Sequence, residues 1–217
     1  MTKALERHEQ FEIDVLDRLK KAKFLDSLVF GGGTMLRLCH DLPRYSVDLD
    51  FWFSRDKNNQ DFFKQLADFF AETYKITDQK NKHYTLLYEI KSPLSERRLK
   101  IEIRKEIISR GLEQKIVFSR YASKQVLLTG LSLAESAKRK LLAACQRTEI
   151  RDFFDLEFML RKGVSASFSK QEKEMLAKKI AGFKKEDYSV HLGILLPKDL
   201  REYYAVHGFS YLKEQLS

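Results

Sequence analysis

The chemistry most readily read from this sequence lies in SVDLDFWF, which carries Asp48 and Asp50, and in the glycine run Gly31, Gly32 and Gly33 just ahead of it. Val47, Leu49 and Phe51 alternate with Ser46, Asp48 and Asp50, so a strand here turns both carboxylates to one face. Paired carboxylate oxygens bind hard cations. Two Mg2+ ions so held, with Mn2+ as the alternative, activate an attacking hydroxyl and stabilise a departing pyrophosphate. The glycines let backbone approach a polyphosphate, and a helix starting near Thr34 aims its N–H groups at the anion. Gly32, Gly33 and Thr34 are therefore the candidate nucleotide-binding turn. A glycine turn or an Asp-x-Asp pair is commonplace by itself. The flanks strengthen the joint reading: no Lys or Arg within the strand offsets the aspartates, and adjacent carboxylates repel unless a cation joins them.

A third metal ligand is expected on a neighbouring strand. In LKIEIRKE, Ile101 and Ile103 alternate with Lys100, Glu102 and Arg104, which makes Glu102 the candidate and Glu89, on the strand before, the fallback. An ordinary exposed glutamate is the competing reading. Farther on, Lys140, Arg147 and Arg151 stand at offsets 0, 7 and 11, a single stripe if residues 138–156 form one helix. That stripe is suited to grip phosphates, with Lys140 as a point charge and Asp152 ordering the basic side chains or meeting the acceptor. Alternatively, Thr148 and Glu149 break the helix and cap a new one, and the stripe arithmetic then fails. Arg44 and Ser46, ahead of the aspartates, are candidates for phosphate contact or for fixing the loop. His40 and His83 have no required role in metal-activated attack. Tyr203, Tyr204, Phe209 and Tyr211 share helical spacing with Leu200 and Leu212, which favours core packing over base stacking.

The elements that must hold these groups are legible in the periodicity. Residues 5–22 form an amphipathic helix with Leu5, Phe11, Val15, Leu16 and Leu19 on its apolar face. Residues 28–30 read as a short buried strand, 34–40 as helix, 46–53 as strand and 59–74 as helix. Tyr84–Lys91 and Arg98–Ile107 form a hairpin across SPLSER. From about residue 131 onward every segment is helical in pattern. The expected fold is α+β: a small mixed β-sheet core flanked by helices over residues 1–125, then a helical half over 126–217.

The formal net charge of +9 favours phosphate-rich or acidic partners. Cys39 and Cys145 lie far apart and suggest reduced, partly buried thiols rather than a disulfide or a zinc site. No apolar run has the length of a membrane span and the first residues lack a signal-peptide core, so a cytoplasmic location with no membrane partner is expected.

These blocks resemble the nucleotidyltransferase superfamily that includes DNA polymerase beta. More narrowly, they look like the AbiEii/AbiGii toxin family of toxin–antitoxin systems. The first motif of that family appears as Gly32-Gly33-Thr34 with Leu36, and the second as Arg44-x-Ser46-x-Asp48-x-Asp50-Phe51. The helical motif appears as Glu135, Lys140, Ala143 and Arg147, then Arg151-Asp152-x-x-Asp155-Leu156. The resemblance implies transfer of a nucleoside monophosphate from an NTP to an acceptor hydroxyl, with pyrophosphate leaving. Asp48, Asp50 and Glu102 would then hold metal, and Asp48, Asp50, Lys140 and Asp152 would be the catalytic set. Gly32, Gly33, Thr34, Arg44, Ser46, Arg147 and Arg151 would bind nucleotide. It further implies an RNA acceptor, tRNA being the natural guess, and a cognate antitoxin. A protein acceptor, a non-catalytic nucleotide- or RNA-binding module, and an interaction partner whose toxicity lies elsewhere are the alternatives.

Overall fold

The computed structural model describes residues 2–93 and 95–216 and divides into two compact units. The first holds the chain through Asp41 together with Tyr45–Leu131; the second holds Leu42–Arg44 and the chain from Ser132 onward.

The first unit is built on a mixed sheet of seven strands among the described residues. They are β1 (Leu28–Gly31), β2 (Asp48–Phe53), β3 (Lys75–Asn81), β4 (Thr85–Lys91), β5 (Leu99–Ile107), β6 (Leu112–Val117) and β7 (Val126–Leu131). Their order across the sheet is β3-β4-β5-β2-β1-β7-β6. The expected hairpin is the antiparallel pair β4–β5, and of its connection Leu94 lies outside the described residues. β2 pairs antiparallel with β1 and parallel with β5, so the aspartate strand sits in the middle of the sheet. Central strands are buried on both faces, and LVFG of β1 is accordingly apolar throughout. Among the described residues the α-helices that flank the sheet are α1 (Thr2–Lys21), α2 (Gly32–His40) and α3 (Asn59–Ala71). Leu5, Phe11, Val15, Leu16 and Leu19 of α1 are all buried, as their spacing requires. Asn58 caps α3, its side chain accepting from the N–H groups of Gln60 and Asp61.

The second unit is helical: α4 (Leu133–Gln146), α5 (Ile150–Arg161), α6 (Lys170–Gly182), α7 (Lys198–His207) and α8 (Ser210–Leu216). Ser132 caps α4 and a Ser169/Glu172 capping box opens α6. Its core is aromatic. Phe153, Phe183, Tyr188, Tyr204 and Phe209 pack mostly edge to face at centroid distances of 5.0–6.1 Å, so Tyr204 and Phe209 are core residues. Cys39 and Cys145 are free thiols. No helix among the described residues is long and apolar enough to cross a membrane.

Candidate active site

β1 runs directly into α2 at the glycines. Gly32 has φ +74°, a left-handed conformation that side chains rarely adopt, and a Cβ built there would lie 2.1 Å from Asp50 Oδ2. The turn is thus glycine because Asp50 leans against it. Gly31 is the cross-strand partner of Asp50, which fixes that contact by register. The N-cap residue of α2 is Gly31, which has no side chain with which to cap the first turn.

The parallel pairing of β2 with β5 sets Asp48 opposite Lys100 and Asp50 opposite Glu102. Residues paired this way share a face, so the expected third carboxylate stands beside the second. Glu89 is committed elsewhere: its Oε1 accepts from Thr77 Oγ1 at 2.6 Å and from Arg98 Nη1 at 2.8 Å. β2 itself carries no Lys or Arg, as its sequence indicates, and the cation comes instead from the neighbouring strand β5. The Lys100 ammonium lies 3.5 Å from Asp48 Oδ2 and 3.3 Å from Glu102 Oε1. Burial alone would lower the Lys100 pKa, but Asp48, Glu102 and Asp50 together raise it. The three carboxylates supply only oxygen donors and are partly open to solvent, a donor set that suits a hard divalent ion. As they stand, no three such side chains among the described residues are drawn tightly enough to form a closed metal cage. Asp48 and Glu102 share the Lys100 ammonium.

Thr34, read from sequence as a nucleotide contact, is fully buried. Its hydroxyl lies 2.6 Å from the Asp48 carbonyl and 3.4 Å from Glu12 Oε1. Its side chain therefore anchors the aspartate strand from behind. His8 Nε2 meets the adjacent carbonyl, that of Val47, at 3.0 Å. Ser46 lies half-buried just ahead of β2.

The remaining candidates gather in the helical unit. The chain there is not one helix: α4 ends at Gln146, and Glu149 occupies the N-cap position of α5. The single-stripe arithmetic fails, because the break at Arg147–Glu149 turns the chain back on itself. Asp152 consequently meets both Lys140 Nζ, at 2.8 Å, and Arg147 Nε, at 2.7 Å. Lys140 Nζ also lies 2.7 Å from Asp155 Oδ2. Asp155 in turn takes a bidentate grip from Arg44, at 2.6 and 2.7 Å. The result is an alternating ladder, Arg44–Asp155–Lys140–Asp152–Arg147. Burial would raise both aspartates, yet Arg44 and Lys140 hold Asp155, and Lys140 and Arg147 hold Asp152, below the usual carboxylate range. Arg44 and Asp155 are buried, whereas Arg147 at the other end is 55% exposed. Arg151 stands outside the ladder, with its guanidinium 3.4 Å from Glu149.

Lys100, His8 and Glu12 were missed by the sequence reading. The alternation that selects Glu102 selects Lys100 equally. His8 and Glu12 fall between Leu5 and Leu16 in the buried stripe of α1, and polar residues in an apolar stripe are themselves a signal.

Comparison with known proteins bears on this geometry. The family model described as "Nucleotidyl transferase AbiEii toxin, Type IV TA system" matches residues 14–207. The crystal structure of JHP933 from Helicobacter pylori is similar, at 19% identity and TM-score 0.52, over 100% of this chain and 94% of that one. MenT4, a nucleotidyltransferase toxin from Mycobacterium tuberculosis H37Rv, is similar at 17% identity and TM-score 0.53, over 98% and 90% of the two chains. At such identities the likeness is one of fold. No curated protein sequence matches.

Proposed function

Because this chain belongs to the AbiEii family of nucleotidyl transferase toxins, we propose that its Asp48–Asp50–Glu102 face transfers a nucleoside monophosphate from an NTP to an RNA hydroxyl. The observation that carries the reading is register: Asp50 and Glu102 are direct partners across β2 and β5, with Asp48 on the same face. Two divalent ions held by these three carboxylates, Mg2+ before Mn2+, would supply charge stabilisation for the triphosphate and lower the pKa of the attacking hydroxyl. The residues of the chain do the rest. Gly32 lets the turn approach the triphosphate, and the first-turn N–H groups of α2, from Gly33 and Thr34, face its charge. The acceptor oxygen bonds to the α-phosphorus, the bond from that phosphorus to the pyrophosphate oxygen breaks, and the hydroxyl proton leaves to solvent. In the helical unit, Lys140 and Asp152 orient Arg147, and Arg147 and Arg151 are partly exposed cations suited to phosphate. The net charge of +9 favours RNA, with tRNA as the first substrate to try, over a protein acceptor. The family further supports a toxin whose growth inhibition a cognate antitoxin relieves.

A second reading is favoured by Lys100. A carboxylate face that already holds an ammonium also fits a nucleotide- or RNA-binding module without turnover. One experiment separates the two. Purified protein is incubated with Mg2+, total RNA and each α-labelled NTP in turn, alongside Asp48→Ala. Label in an RNA band that disappears in the variant supports the transferase and names the nucleotide. Label on protein keeps the chemistry and moves the acceptor. NTP binding without label favours the binding module, and wild-type turnover by Asp48→Ala would refute the site.

A further inference from the structure

His8 and Glu12 stand one turn apart on α1, among the leucines and valines that pack it onto the sheet. Their side chains are 1% exposed each. Ionisable groups in such a stripe destabilise the fold unless partners compensate, and here compensation is incomplete. Glu12 Oε2 has no hydrogen-bond partner among the described residues. The His8 ring nitrogen Nε2 is 3.7 Å from Glu12 Oε1, and Arg37 donates to Glu9 instead. Burial first, then the charges of Glu9 and Asp48, push the Glu12 carboxyl well above the usual carboxylate range, while burial lowers His8. Both shifts favour the neutral forms of the acid and the imidazole.

Hydrogen counting then orders the contacts. The Asp48 carbonyl can only accept, so it takes the one hydroxyl hydrogen of Thr34. The same hydroxyl lies 3.4 Å from Glu12 Oε1, so Thr34 stands between Glu12 and the Asp48 carbonyl. The Val47 carbonyl likewise requires a hydrogen on His8 Nε2, which leaves Nδ1 to accept from Ser95. Successive carbonyls at the entry to β2 are thus held from one helix, Val47 by His8 directly and Asp48 by Glu12 through Thr34.

We propose that His8 and Glu12 are positioning residues for the carboxylate face, setting the depth and orientation at which Asp48 and Asp50 leave β2. This rests on the transferase reading above. Both residues precede the span matched by the family model.

The test exploits the unpaired oxygen. If Glu12 only filled space, Glu12→Met would be harmless or better, since it removes a buried polar group that is incompletely satisfied. In the full chain, melting temperature, Mn2+ affinity without nucleotide, and kcat and KM for labelled transfer are measured for Glu12→Met, Glu12→Gln and Thr34→Val. Glu12→Met is expected to melt no lower than wild type, yet to lose about ten- to a hundredfold in Mn2+ affinity and in kcat, with little change in KM. Glu12→Gln, whose amide can donate to Thr34, should restore most of that loss. Thr34→Val, close to isosteric, should reproduce the Glu12→Met defect, and it decides the matter if the methionine variant does not fold. Unchanged Mn2+ affinity and kcat in both Glu12→Met and Thr34→Val would overturn the positioning role. Failure of the underlying reading has a different signature: Asp48→Ala would bind Mn2+ as wild type does, and the role of Glu12 would fall with it.

Discussion

The two units each bury carboxylates, and they treat them in opposite ways. In the helical unit Asp155 is gripped by Arg44 and Lys140, and Asp152 by Lys140 and Arg147, so each of these two acids has two cations. In the sheet unit Glu12 is as deeply buried but is pushed towards its neutral form, with one oxygen unpartnered. A fully paired buried ladder fixes one arrangement of its helices, and removing a member leaves its partners charged and unsolvated. A buried acid pushed towards its neutral form, with one oxygen unpartnered, offers the fold little. Its presence makes sense through what it holds, the backbone that carries Asp48.

The contrast breaks most visibly at Asp155. Asp155→Ala takes the bidentate acceptor from Arg44 and one of its two aspartates from Lys140, and it should destabilise the full chain by about 3–5 kcal/mol in urea unfolding. Glu12→Met, equally buried, should cost nothing measurable in the same experiment. Similar losses in both would mean that the sheet cluster is as structural as the ladder.

Titration sharpens the same contrast, because the two shifts have opposite signs. The folded pKa values of Asp152 and Asp155 lie below the unfolded values. Their stabilisation is present above the unfolded pKa and is lost as pH falls through the folded one. The folded pKa of Glu12 lies above its unfolded value. Its contribution is complete below the unfolded pKa and declines as pH rises towards the folded one. Glu12→Gln should therefore gain on wild type as the buffer moves from roughly pH 5 to pH 8, whereas Asp155→Asn should flatten the acid limb. Parallel stability curves for Glu12→Gln and wild type would show that Glu12 is ionised in the fold.

How much of this was legible in the chain depended on whether a signal was local. The alternation of Ser46–Phe53 revealed the strand and the shared face of Asp48 and Asp50, because a half-buried strand imposes period two on its own residues. β3, with the sequence KITDQKN, gave no such signal: it is an edge strand, largely exposed, and no face of it must be apolar. The break between α4 and α5 stood as an alternative on the strength of Thr148 and Glu149. Its consequence, Asp152 folding back onto Lys140, depends on packing that no window of sequence contains. Lys100 was hidden for a related reason. Its position opposite Asp48 is a matter of parallel register between strands half a unit apart in the chain, and register is set by the whole sheet.

The gentlest test falls on Lys100, where the two treatments of charge meet. Asp48 and Glu102 are partly solvated and share the Lys100 ammonium, an arrangement looser than the ladder. An ammonium 37% exposed contributes little to folding, so Lys100→Met should change stability by less than about 1 kcal/mol. Its effect on divalent binding should be larger in proportion. The ammonium sits 3.3–3.5 Å from two of the three donors and repels any cation they would bind. Removing it should tighten Mn2+ binding without nucleotide by about tenfold, read by titration calorimetry. Unchanged affinity would mean that Lys100 swings clear when the ion arrives. Weakened affinity would mean that it holds the carboxylates in place for the ion, as His8 and Glu12 hold the strand beneath them.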